Sequence, residues 1–256
     1  MSQQGTYSRR EFLLFGSVFG TMFGWIPWFR PKEISLVGAR FQIVRTKAPK
    51  HVKLPKRRYL LIHGDEETAR QVLENHIKTH RGTSYIIESK TRDVEVGEGK
   101  IDPNRMFSRF GAEINLKKLN PNWTPDQIKN ALDLLDRDRE HLLHALLPGG
   151  HDLLIALHNN GEGYSVNDEL QISDLKSIKE PDNPHAFFLC TDPDDYDTLS
   201  ASSYNVVLQQ HVRASDDGSI SRRAAARHQR YVNLEVRAGD GGRQQEMLNW
   251  LEAHLA

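Results

Sequence analysis

The sequence predicts a single α/β domain whose central sheet is mixed, largely parallel and flanked by helices. Short apolar runs alternate along the chain with amphipathic helical patterns, and this alternation is typical of α/β folds. Several of these runs carry no polar residue, which indicates strands that are buried on both faces. With 256 residues, the chain is also long enough to bury a full hydrophobic core.

The predicted strands and helices alternate through most of the chain. Strands are predicted at 40–45, 59–62, 84–88, 152–157, 186–190 and 231–236. Helices are predicted at 67–80, 124–147, 194–210, 222–230 and close to the C terminus through Leu251. The helix at 124 has the most specific start, because Thr124, Pro125 and Gln127 match an N-cap, an N1 proline and a capping box. A polar loop or hairpin is predicted at 91–100.

Two histidines on the predicted helix at 67–80 have a spacing that occurs in metal sites. His76 and His80 are four residues apart, a spacing that can bind a metal ion. No carboxylate lies between them, so we interpret them as part of a solvated face.

The charge balance excludes one class of partner. Lys+Arg and Asp+Glu number 34 each, so no overall basic field favours nucleic acid. The helix at 222–230 is basic, but it lacks interleaved aromatic residues, and we interpret it as solvated or substrate-facing. Cys190 is the only cysteine, so the chain cannot form an internal disulfide, and cysteine usage does not decide the compartment.

The N terminus predicts export. Residues 8–13 read SRREFL and resemble the twin-arginine signal, whose pattern is Ser-Arg-Arg-x-Phe-Leu. An apolar run follows as far as Phe29, with no charge after Glu11. We predict a signal at 1–30, which engages the twin-arginine export machinery, and a folded domain at 36–256. No clear cleavage site follows, so the protein is expected to be either periplasmic or anchored, uncleaved, at the outer face of the inner membrane. The alternative to both is that the apolar run forms a buried helix.

Polar residues with metal-ligand chemistry follow the strand at 59–62. His63 and Glu66 lie where this strand turns into the next helix, and parallel strands carry their chemistry at such carboxyl ends. A histidine and a carboxylate are two of the three protein ligands in a His₂Glu catalytic zinc site. The spacing H-x-x-E also arises by chance, in which case both would be surface polar residues.

Three further features follow in the same order along the chain. Residues 102–105 read DPNR, His158 ends the strand at 152–157, and Glu235 lies on the last strand two residues before Arg237. This order resembles the zinc carboxypeptidase family, including its branch of succinylglutamate desuccinylases and aspartoacylases. That family has H-x-x-E, then D-x-N-R, then a third ligand histidine at a strand end, then a catalytic glutamate in an E-x-R context. The resemblance covers residues 40–239.

The resemblance implies a role for each matching residue. It implies zinc ligation by His63, Glu66 and His158, proton transfer by Glu235, and binding of a substrate carboxylate by Asn104 and Arg105. Zinc activates water and polarises a carbonyl group, a carboxylate can move the proton, and a guanidinium matches a carboxylate. The implied protein is an exported zinc hydrolase that cleaves an amide bond next to a free carboxylate. Its substrates would be small peptides, such as short cell-envelope peptides, or N-acyl amino acids.

The sequence departs from the family in several places. The second, carbonyl-polarising arginine has no clear match, with Arg92 as a candidate. The substrate-capping tyrosine is also unplaced, with Tyr204 and Tyr231 as candidates. A catalytically silent exported protein that only binds a peptide or a metal on the same scaffold is the alternative function. The presence of Glu235 argues against it, because a pure binding protein needs no general base.

Overall fold

A nine-stranded mixed sheet lies at the centre of the computed structural model, which describes residues 32–46, 57–211 and 215–255. The strands in chain order are β1 (Lys32–Leu36), β2 (Ala39–Arg45), β3 (Arg57–Leu61), β4 (Thr83–Ile87), β5 (Val94–Val96), β6 (Gly99–Ile101), β7 (Leu153–Asn160), β8 (Leu175–Ser177), β9 (Phe187–Cys190), β10 (Asn205–Leu208) and β11 (Tyr231–Arg237). The order in the sheet is β1-β2-β4-β3-β7-β11-β9-β10-β8, and β5 and β6 form a separate hairpin. The predicted α/β class and mixed sheet are confirmed, but the sheet is partly rather than largely parallel, because β1–β2, β2–β4, β11–β9 and β10–β8 are antiparallel pairs.

Helices cover both faces of this sheet. They are α1 (Glu67–His76), α2 (Arg109–Leu119), α3 (Pro125–Leu146), α4 (Val166–Glu169), α5 (Pro193–Ser200), α6 (Ile220–Ala226) and α7 (Gly241–His254). Successive strand residues belong to different cores, since Leu60 packs in the cluster with α2, α3 and α6, whereas Leu61 packs in the cluster with α1, α5 and α7. This alternation on buried strands is the two-residue period expected of a sheet covered on both faces.

Parallel pairing at the centre of the sheet decides where the polar strand ends meet. The neighbours β3, β7 and β11 are all parallel to one another. Their carboxyl ends therefore lie side by side at one edge of the sheet. In the register of β7 and β11, His158 is the direct partner of Glu235. Two predicted site residues on different strands are thus adjacent because of strand register alone.

Most predicted elements are present within a few residues of the expected bounds. The capping box at Thr124 is formed with Gln127, and proline begins α3. The loop or hairpin at 91–100 is the β5–β6 hairpin. The prediction of one helix over 194–210 is wrong, because α5 ends at Ser200 and β10 follows. The β-branched pair Val206–Val207 is fully buried there and pairs on both sides in the sheet, so tertiary burial overrides the helical pattern.

The helix predicted at 67–80 ends earlier, at His76. The interpretation of His76 as solvated is wrong, since its ring is buried against Tyr59 and its Nε2 lies 3.2 Å from a carboxylate oxygen of Glu252 on α7. Strands β1 and β8 and helices α2 and α4 have no counterpart in the prediction.

The predicted signal at 1–30 lies outside the described residues. The sheet begins at β1, ahead of position 36, where the folded domain was expected to start. Within the described ranges, no helix combines the length and the apolar character that a membrane span requires.

Candidate metal centre and its cavity

The turn after β3 brings His63 and Glu66 into the interior. Both side chains are buried, although both are polar. Glu66 occupies the N-cap position of α1 but makes no side-chain capping bond, so its carboxylate is directed to other partners. Gly64 packs against the backbone of Ser89 and Thr91, where a side chain would collide with both carbonyl groups. A glycine between the two polar residues is therefore needed to let the chain pass this loop.

His158 completes a three-residue cluster with them. One ligand atom from each of His63, Glu66 and His158 lies within 4.8 Å of the others. Nδ1 of His63 is 2.7 Å from Oε1 of Glu66, and Nδ1 of His158 is 3.2 Å from Oε2. Both imidazoles thus turn Nδ1 toward one carboxylate, so all three side chains converge on one point where they could share an ion.

Asp102 holds His63 from the other side. Its Oδ1 is 2.9 Å from Nε2 of His63, and the same oxygen accepts the backbone N–H of Asn104 at 2.7 Å. A carboxylate on the far nitrogen fixes the ring orientation and the tautomer of a metal-binding histidine. The sequence pattern of DPNR assigns no such role to Asp102. Its signal was the acidic residue that begins that motif.

The chemistry of this donor set fits a divalent metal ion. Two imidazole nitrogens and one carboxylate match the protein ligands of catalytic zinc sites. Oε2 of Glu66 is fully shielded and has no hydrogen-bond donor, since its contact with His158 lacks hydrogen-bond geometry. A buried carboxylate oxygen without a partner is costly, and a metal ion held by the three side chains would satisfy it. His63, Glu66 and His158 are the residues that would hold it.

The cluster also shifts the pKa values of its members. Burial alone would lower the pKa of His63, but its hydrogen bonds with Asp102 and Glu66 outweigh burial and raise the pKa to about 9. Burial alone would raise the pKa of Glu66, but His158 and His63 lower it to about 2. In the metal-free protein at neutral pH, His63 is therefore protonated and Glu66 ionised.

We expect zinc binding at pH 7 to release a proton from His63, because the ion needs a bare Nδ1. The apparent affinity should rise about tenfold per pH unit up to about pH 9 and then level off. The raised pKa of His63 also stabilises the metal-free fold. This contribution is fully present at a pH below 6.5, the ordinary pKa of histidine, and is lost as the pH rises through about 9. Calorimetry in buffers of different ionisation enthalpy counts the protons, and a zinc affinity independent of pH over 7–9 would contradict this assignment.

Glu235 lies beside the cluster on β11 and is buried. Its Oε1 accepts a hydrogen bond from Nδ2 of Asn233 at 3.0 Å, and its Oε2 accepts one from Nδ2 of Asn160 at 3.2 Å. Burial raises the pKa of Glu235, and Glu66 adds to this, whereas His158 opposes it. A carboxyl group with a raised pKa is better suited to hold and return a proton near neutral pH.

Asn104 and Arg105 lie on a short 3₁₀ turn, Pro103–Arg105, that Asp102 caps. Oδ1 of Asn104 accepts the backbone N–H of Ile220 at 3.1 Å, which fixes the amide. Nη1 of Arg105 donates to the carbonyl of Asn104 at 2.9 Å and lies 3.5 Å from Asp217. These contacts hold the guanidinium at the rim, where about a third of the side chain remains exposed.

The predicted site residues meet at one cavity of about 420 Å³. The six predicted site residues that line it are His63, Glu66, Asn104, Arg105, His158 and Glu235. The structure therefore brings together the whole predicted set, from four separate parts of the chain. Tyr164 also lines the cavity, although no sequence motif points to it.

The candidates for the two unplaced family residues have different outcomes. Arg92 lines the cavity, with Nη1 3.4 Å from Glu66 and Nη2 3.5 Å from Asp102. Tyr231 also lines it. Tyr204 does not, because its ring packs with Phe188 in the core on the other face of the sheet. Tyr204 was a wrong candidate for a substrate-capping residue.

Comparison with known proteins gives matches to solved structures at low sequence identity. No protein-family model and no curated protein sequence matches the chain. Two solved structures that align with it come from Shewanella denitrificans OS217 and Shewanella baltica OS155, and each is called a "putative metallopeptidase". The first is 11% identical with a TM-score of 0.43, over 87% of this chain and 82% of that one. The second is 14% identical with a TM-score of 0.45, over 87% of this chain and 84% of that one. The assignment of the site rests on the geometry of this chain's own residues.

Proposed function

We propose that this chain is a zinc-dependent hydrolase that cleaves an amide bond next to a free carboxylate. The observation that carries the proposal is the buried cluster of His63, Glu66 and His158 with Glu235 on the adjacent strand. A pure binding site would not require a second buried carboxyl group of raised pKa in the same cavity. An ion held by the cluster would supply Lewis-acid activation of the scissile carbonyl and of water.

The side chains around the cluster would transfer the proton and hold the reacting groups in position. In this proposal, Glu235 takes a proton from the attacking water and returns it to the departing amine. The amides of Asn233 and Asn160 keep its two oxygens in a fixed direction. Asp102 keeps the ring of His63 oriented. Because the acid and the metal ligands are buried, bulk water competes little with these contacts.

Arg105 is the proposed contact for the substrate carboxylate. We expect Arg105→Ala to lower kcat/KM on a peptide with a free terminal carboxylate by about 30-fold, which corresponds to about 2 kcal/mol. The loss stands at the low end for such a pair because the guanidinium is partly exposed and already near Asp217. The same variant should lose much less on the terminal amide of that peptide, and zinc content should not change.

Arg109→Ala provides the matched control, because Arg109 is paired with Asp133 and Asp136 on the surface of α3. Arg105 could instead only anchor its own loop through Asp217. The variant would then be less stable, and its kcat/KM would fall by the same factor on the free-acid peptide and on the amide peptide. Equal losses on the two substrates would remove the carboxylate-binding role and leave a hydrolase of another specificity.

We also propose that the protein acts outside the cytoplasm, on short cell-envelope peptides. The support is the SRREFL segment with its apolar run. Residues 1–40 fused to a folded reporter should export it, and Arg9→Lys combined with Arg10→Lys should block that export in a fractionation assay. Arg30→Lys is the control. Unchanged export of the double variant, or export through the general secretory route, would contradict the proposal.

A further inference from the structure

Asn159 joins the two segments that carry the metal ligands, although it is neither a ligand nor part of the proposed chemistry. The parallel ladder between β3 and β7 ends at Leu60 on β3. His63 and Glu66 follow that point along the chain, and His158 lies beyond the last residue of β7 that pairs with β3. Pairing of these two strands therefore does not set the distance between the ligand segments, and other contacts must do so.

Helix α1 lacks the bond that its first turn would ordinarily receive from its own N-cap residue. The first N–H groups of a helix have no intrahelical partner, and an oxygen of the N-cap side chain usually accepts the one at the second or third position. Glu66 occupies the N-cap position but makes no such bond. Its carboxylate is turned toward His63 and His158 instead.

Asn159 supplies the missing bond from the neighbouring strand. Its Oδ1 accepts the backbone N–H of Ala69, the third residue of α1, at 2.8 Å. Ala69 is fully buried, so water does not readily replace this bond. The residue that follows a ligand histidine on β7 thus caps the helix whose N-cap position holds the ligand carboxylate.

Gln244 on α7 keeps the amide of Asn159 in this orientation. Nδ2 of Asn159 donates to Oε1 of Gln244 and to the carbonyl of His158, both at 3.2 Å. Nε2 of Gln244 donates to the same carbonyl at 2.9 Å. Because acceptors face Nδ2 of Asn159 and an N–H donor faces Oδ1, one orientation of its amide satisfies all of these contacts. Gln244 is fully buried and does not itself line the cavity.

We propose that Asn159 is a positioning residue of the metal centre and that Gln244 acts through it. By capping α1 in place of Glu66, Asn159 leaves the carboxylate of Glu66 free for the ion and fixes α1 relative to His158. Without Asn159, the N–H of Ala69 would compete for that carboxylate, because Glu66 already occupies the N-cap position. The assignment rests on the metal centre of the proposed function and adds how its ligands are held.

Zinc affinity of the full-length chain and its variants, from competition with a chromophoric chelator, tests the assignment. Asn159→Leu keeps the branching of the side chain but removes both polar groups, and it should bind zinc about 10–100-fold more weakly, as expected for a partner outside the ligand shell. Asn159→Asp retains an oxygen for the N–H of Ala69 and should recover most of the affinity. Gln244→Met should lose less than Asn159→Leu, and in the double variant the two losses should not multiply, since both act through one amide.

Thr68→Val is the matched control in the same turn of α1. Oγ1 of Thr68 accepts the N–H of Gly239 at 2.9 Å, so this bond also holds the start of α1 but connects it to the turn after β11 and not to β7. The variant should bind zinc as the wild type does. With Co²⁺ bound in place of zinc, the visible absorption spectrum should change in Asn159→Leu, because the carboxylate of Glu66 is displaced, and should stay unchanged in Thr68→Val.

A purely structural role of Asn159 gives a different result. Asn159→Leu would then have a lower free energy of unfolding in urea, while the zinc affinity and the Co²⁺ spectrum of the folded protein stayed as in the wild type, and this outcome would overturn the assignment. Equal losses of zinc affinity in Asn159→Leu and Thr68→Val, or an Asn159→Asp variant as weak as Asn159→Leu, would overturn it as well. If Asn159→Leu fails to fold, Gln244→Met decides, and an undiminished zinc affinity there would overturn the assignment.

Turnover of N-acetylated dipeptides by the wild type separates this inference from the proposed function. Weaker zinc binding in Asn159→Leu, without turnover by the wild type, would overturn the hydrolase and keep the assignment. Turnover by the wild type, with unchanged zinc affinity in Asn159→Leu, would keep the hydrolase and overturn the assignment. A wild type that binds no zinc would overturn both.

Discussion

Replacing Glu235 by glutamine is expected to leave the fold and the bound zinc in place while kcat/KM falls by about 10²–10⁴-fold. Proton transfer by a positioned group contributes an acceleration of this size, and glutamine cannot accept the proton. The side chains are nearly equal in volume. The new amide N–H₂ would face an amide donor, but Asn233 can rotate its amide, because its Oδ1 has no other partner.

A matched variant controls for the loss of a charge. Glu162→Gln removes a carboxylate that is exposed and lies 3.2 Å from Arg237, so it should have near-normal activity. Zinc content by elemental analysis and the free energy of unfolding by urea titration show whether the Glu235 variant is intact. A near-normal rate in Glu235→Gln would show that another residue is the base. Negligible activity of both the wild type and the variant would favour the silent binding protein.

The second large effect concerns the metal ligands. His158→Ala should weaken zinc binding by about 100-fold or more, since partners outside the ligand shell already account for about 10–100-fold. His158 lies on β7 and faces Glu66. Among the described residues, no other histidine belongs to the three-residue cluster. Competition with a chromophoric chelator measures the affinity.

The control for this variant is His144→Ala, on the exposed face of α3, which should bind zinc as the wild type does. If His158→Ala keeps full zinc occupancy at the wild-type affinity, the ligand assignment is wrong.

Strand ends explain why so much of the candidate site was predictable from the sequence. His63 and His158 each follow an apolar run that is typical of a buried strand, and parallel neighbouring strands bring their carboxyl ends to one edge of the sheet. The pairing of β7 with β11 then adds Glu235 by register. These residues are predictable because local patterns and sheet topology act together.

Other parts of the site depend on contacts that no local pattern reveals. Asp102 reaches His63 across 39 positions of the chain, and Tyr164 lines the cavity although no sequence motif includes it. The same limit explains β10, where the segment at Val206 has a helix-compatible pattern but is buried between two strands. Tyr204 failed as a candidate because a tyrosine gives no sign of the face on which it packs.

Anomalous diffraction at the zinc edge tests the central claim most directly. Crystals of the zinc-loaded protein should show one strong peak, bounded by Nδ1 of His63, Nδ1 of His158 and the carboxylate of Glu66. The peak should be absent from crystals of His158→Ala grown with the same zinc concentration. A zinc-loaded crystal with no peak between these three side chains, or with its strongest peak elsewhere, would contradict the account.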